Sequence, residues 1–71
     1  MTATEKAKFL IAHRSTTSLI EDFILTGSNN DPHIPTVRGW IMDELEHRNP
    51  NAFSAWLEQD VPTDESLRNY F

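Results

Sequence analysis

The side chains that could do chemistry are eleven carboxylates and three histidines, set in a chain of 71 residues with six basic residues and no cysteine. Acid–base catalysis needs a carboxylate or imidazole held where water is scarce, so that its pKa moves toward the working pH. The carboxylates cluster as Asp43, Glu44, Glu46 and as Glu58, Asp60, Asp64, Glu65, opposite the apolar positions of their helices, which makes them solvated faces. A metal would want His47 beside Asp43 and Glu44, one helical turn back. That is half a site, with no HExxH pattern to complete it. His33 lies among prolines, where a plain loop position is expected.

Other chemistries fall away on composition. Without cysteine there is no disulfide scaffold, Cys-ligated zinc or thiol nucleophile. Two glycines cannot build a P-loop or a GxGxxG cradle, and there is no GxSxG. The run 15–18 (Ser-Thr-Thr-Ser) suits helix capping better than catalysis. The segment 28–31 lacks the spacing, central glycine and terminal glutamate of an EF-hand. The expectation is a protein that is not an enzyme and needs no cofactor.

Nucleic-acid binding draws its affinity from Lys and Arg on phosphate. The six cations (Lys6, Lys8, Arg14, Arg38, Arg48 and Arg68) are scattered, net charge is −5, and the natural recognition helix displays Asp43, Glu44 and Glu46. A helix-turn-helix-like DNA-binding or regulatory protein is therefore the alternative, and a protein partner the leading expectation. Its binding residues would be Glu44, Glu46, Asp64 and Glu65, steering toward a basic surface, with Tyr70 and Phe71 either folded back or offered as an aromatic tail. Trp40 and Trp56 are read as core before interface anchors. Homo-oligomerisation is a further option, since a core this small gains from a second copy.

The elements that position these residues are helices. One domain, 1–71, is expected, an all-α bundle of four to five short helices. Thr2-x-x-Glu5 is a capping box for a first helix from about Ala3 to His13. Ser18-x-x-Glu21 offers a second, and the sequence leaves open whether helices 1 and 2 are continuous. Leu19, Ile20, Phe23 and Ile24 share a face, and Gly27 is expected to end that helix in a left-handed C′ position. The stretch 27–35 (Gly-Ser-Asn-Asn-Asp-Pro-His-Ile-Pro) is the longest loop. Thr36 is expected to cap helix 3, in which Gly39 implies either close approach by a neighbour or simple tolerance. Asn49-Pro50 starts helix 4, running to about Gln59, and Val61-Pro62 precedes a short last helix with Leu67. The predicted core is Leu10, Leu19, Phe23, Val37, Trp40, Ile41, Leu45, Phe53, Trp56 and Leu57. The longest apolar run, 9–12, is far below the roughly 20 residues of a membrane span, so a cytoplasmic location is expected.

The stretch 37–57, VRGWIMDELEHRNPNAFSAWL, followed by an acidic turn and LRNYF, resembles small acidic helical proteins of bacteria and their mobile elements. The resemblance covers the C-terminal half and implies no activity, cofactor or site residue.

Overall fold

Helix signals in the sequence become four α-helices: α1 (Ala3–His13), α2 (Thr16–Thr26), α3 (Ile34–Arg48) and α4 (Pro50–Leu57), followed by a short 3-10 helix, Glu65–Asn69. The computed structural model describes residues 2–71, and among these there is no strand. The architecture is an all-α bundle in which α3 packs against α1, α2 and α4, while the 3-10 helix packs on α2.

Local chemistry sets most boundaries. Thr2 caps α1, its hydroxyl accepting from the Glu5 N–H at 3.1 Å. At Arg14 the backbone turns extended, so α1 and α2 are separate helices. Ser15, one turn before the expected cap at Ser18, accepts from the Ser18 N–H at 3.1 Å and starts α2. The Asn49 side chain accepts from the Ala52 N–H at 3.1 Å, with Pro50 in the first turn of α4. That helix ends at Leu57, two residues short of the expected Gln59, and the Gln59 amide donates to the Trp56 carbonyl at 2.7 Å.

Two expectations are corrected, and one open alternative is decided. Thr36 does not cap α3: the helix begins at Ile34 behind His33, which makes no capping bond, because Pro35 already fits the first turn. Gly27 is right-handed (φ −62°, ψ −24°), so its role is not left-handed termination. A Cβ there would come within 2.6 Å of the Asp64 carboxylate, so the glycine serves close approach. Gly39 faces open space, and nothing would meet a Cβ within 4 Å, which leaves tolerance as its explanation.

The core joins α2, α3, α4 and the C-terminal segment: Leu19, Ile20, Phe23, Ile41, Leu45, Phe53, Trp56 and Leu67. Phe23 meets Trp56 edge to face, with centroids 6.1 Å apart. The Trp56 indole donates to the Thr63 carbonyl (2.9 Å) and the Ser66 hydroxyl (3.1 Å), which holds the last turn over the core. Leu10 and Leu57, predicted buried, are about half exposed, and Val37 and Trp40 are half-buried. Leu10 sits about 100° around α1 from Ile11, the residue that does pack inward, and Leu57 lies at the open end of α4. Leu67 takes a place that the sequence reading did not assign to the core.

Candidate interaction surface

Of the six predicted partner-binding residues, the structure places four in internal contacts and two outward. Asp64 forms a bidentate pair with Arg38 (2.9 and 3.1 Å). The same guanidinium donates to the Phe23 carbonyl (3.0 Å) and the Thr26 hydroxyl (2.8 Å) and lies 4.0 Å over the Phe23 ring. Arg38 thus ties α3 to the end of α2 and to the C-terminal segment. Glu44 pairs with Arg48 at 3.5 Å across one helical turn. Arg48 in turn donates to the carbonyls of Ile11 (3.3 Å) and Ala12 (3.1 Å) and to the Thr16 hydroxyl (3.2 Å). A cation at the last carbonyls of a helix answers the negative end of its dipole, and here it ties α1 to α3 and α2.

Tyr70 and Phe71 fold back, half-buried against the core, rather than forming an extended tail. Glu46 and Glu65 are exposed and have no cationic partner among the described residues.

The remaining two arginines are also engaged. Arg14 pairs with Asp22 at 2.7 Å. Arg68 chelates Glu21 through two 2.7 Å hydrogen bonds. Hydrogen bonding from Arg68 holds the Glu21 carboxyl below its ordinary range, and the same bonds raise the Arg68 guanidinium. All four arginines are therefore consumed within the chain, each with one carboxylate. Seven of the eleven carboxylates are left without a cationic partner among the described residues: Glu5, Asp31, Asp43, Glu46, Glu58, Asp60 and Glu65. Every one is exposed. Against them stand two lysines, Lys6 and Lys8, both on α1.

One open groove, of about 300 Å³, runs between α1 and α3, lined by Lys8, Ile11, Trp40, Asp43, Glu44 and His47. The Lys8 ammonium sits 5.7 Å from the centre of the Trp40 ring, a cation–π contact across the groove. The half-site expected from Asp43, Glu44 and His47 does line one wall. Among the described residues, however, no three metal-ligating side chains come together in a metal-holding arrangement. Among the described residues no helix is long and apolar enough to cross a membrane.

What the sequence reading missed is the internal use of the arginines. Periodicity tells which face of its own helix a residue occupies, but not which distant cation will reach it. Compared with known proteins, the chain matches no family model, no curated protein and no solved structure.

Proposed function

We propose that this protein is a non-enzymatic helical module, working without a cofactor, that binds a basic protein surface through its unpaired carboxylates. One observation carries the reading: each of the four arginines pairs with a carboxylate of its own chain, two of them in half-exposed surface pairs, so the unpaired surface charges are seven carboxylates against two lysines. Such a surface steers cationic partners and repels polyanions. Within the predicted residue set, Glu46 and Glu65 are the binding groups. Glu44 and Asp64 act indirectly, by holding the elements that carry them.

Direct DNA binding is the less supported reading. On α3 the exposed charges include Asp43 and Glu46, while Arg38 and Arg48 turn inward. The α2–α3 connection spans residues 27–33, longer than the three or four residues of a helix-turn-helix. A cytoplasmic setting is part of the proposal, supported by a fold held together without cysteine, and so is the bacterial character suggested by the resemblance of 37–57.

The test is affinity capture from nuclease-treated native lysate, comparing the wild type with Glu46→Lys/Glu65→Lys. A stoichiometric protein that is lost with the variant supports the proposal. Capture indifferent to the reversal, or no capture together with salt-sensitive affinity for random duplex DNA, overturns it.

A further inference from the structure

The outward face of α1 carries two of the large apolar side chains that the surface exposes. The helix contributes no buried residue, and it touches the core through half-buried Ile11. At about 100° per residue, Phe9, His13, Lys6 and Leu10 fall within one arc of about 100° on the side away from Ile11. All four are exposed. Phe9 and Leu10 keep 51% and 53% of their surface in water, and the Phe9 ring lies tilted against His13 with ring centres 4.2 Å apart. The arc thus offers two large apolar side chains with a lysine between them.

A second run of exposed residues, within five positions of one another, lies at the end of α4. Leu57 (47% exposed) and Val61 (74% exposed) flank Glu58 and Asp60, both exposed and without a cationic partner among the described residues. Each patch joins apolar surface to charge, and the charges are opposite. Burying the apolar groups of one against the other removes both from water and brings Lys6 to carboxylates that nothing in its own chain neutralises.

We propose that the occupant of the α1 face is a second copy of this chain, with Phe9 and Leu10 against its Leu57 and Val61 and Lys6 facing its Glu58 and Asp60. The two patches are different surfaces, so the contact is heterologous. Copies add head to tail, into a ring if the rotation closes and an open chain if it does not. Glu46 and Glu65 take no part in it, so assembly repeats the acidic surface and adds avidity for a multivalent basic partner.

Charge exchange followed by sedimentation tests the contact. The wild type should gain average mass with concentration, by about twofold or more, because association follows mass action. It should return toward the monomer between about 0.1 and about 1 M salt, as the screening length shrinks from about 10 to about 3 Å. Lys6→Glu alone and Glu58→Lys/Asp60→Lys alone should remain monomeric, because each carries like charges on both patches. An equimolar mixture of the two should recover association, since every contact then joins opposite charges. Circular dichroism of each variant checks that the helices are intact, and Leu57→Ser/Val61→Ser should also stay monomeric.

A wild type that is monomeric at every concentration overturns the proposal, as does a mixture that fails to recover association from folded variants. A monomer that floats with phosphatidylserine vesicles would assign the α1 face to a membrane instead. The capture experiment with Glu46 and Glu65 reads a different surface, so either idea can fail while the other stands.

Discussion

Replacing Gly27 by alanine should destabilise this protein even though the backbone there suits alanine well. At φ −62° and ψ −24° the residue is right-handed, where Gly→Ala ordinarily stabilises by about 0.4–1 kcal/mol through the unfolded chain. The new Cβ would stand 2.6 Å from Asp64 Oδ2, an oxygen held 3.1 Å from Arg38 Nη1. The carboxylate must move, and at least one arm of the bidentate pair breaks. Both side chains of that pair are about a quarter exposed, so loss of one charge-assisted bond should cost about 1.5–3 kcal/mol. The net expectation is destabilisation of about 1–2 kcal/mol, the difference between these two effects.

The decisive comparison uses Asp64→Ala as background. With the carboxylate gone, Gly27→Ala should be more favourable than it is in the wild type by about 1–3 kcal/mol. The Ile24 carbonyl, 3.2 Å from the added Cβ, is present in both backgrounds and cancels in the cycle. Urea denaturation of the four proteins followed by far-ultraviolet circular dichroism yields the coupling energy, expected at about 1–3 kcal/mol. Equal effects of Gly27→Ala with and without Asp64 would refute the close-approach explanation.

Three further outcomes follow from named contacts. Arg48→Met keeps the aliphatic stem but gives up bonds to Ile11, Ala12 and Thr16, so hydrogen exchange in α1 should quicken while Leu45 stays protected, with a global loss of about 1–2 kcal/mol. Trp56→Phe removes the indole donor from the Thr63 carbonyl, which still accepts from the Ser66 hydroxyl, and from the Ser66 hydroxyl, which still accepts from the Gln59 amide; it should cost about 0.5–1.5 kcal/mol in urea titrations, with faster exchange at Leu67. Because the folded-state pKa of Glu21 is lowered, its contribution is present above the ordinary carboxylate range and lost as pH falls through the folded value. Glu21→Gln should therefore lower stability at neutral pH and flatten its acid dependence, read from thermal melts at several pH values.

Capping and stripe signals carried much of the fold. Asn49-Pro50 marks the start of α4 by its residue types alone, and Thr2 does the same for α1. Leu19 with Phe23, Ile41 with Leu45, and Phe53 with Trp56 are each spaced by three or four residues and are all buried. Leu10 satisfies the same spacing rule loosely yet faces water, because α1 lies on the outside of α3 and buries only a narrow strip. Leu67 was harder to place, since a five-residue 3-10 helix is too short to show a period.

The candidate surface was less legible. Glu44 and Asp64 belong to the same acidic clusters as Glu46 and Glu65, yet Arg48 and Arg38 claim the first two. The Arg38–Asp64 pair spans 26 residues, a separation that no local pattern encodes. Gly27 follows from it, because its conformation is ordinary and only the folded packing of Asp64 explains the missing side chain. The acidic character of the surface was visible as net charge, but which carboxylates remain free depends on where each arginine ends up.

The most direct test of the central claim is the salt dependence of affinity for the captured protein partner, measured with wild type and with Glu46→Lys/Glu65→Lys. The account predicts wild-type affinity that falls as salt rises from about 0.1 to about 0.5 M, and a much weaker dependence for the variant, whose free carboxylates at the contact are gone. Wild-type affinity unchanged by salt, or the same slope in both proteins, would contradict an acidic binding surface.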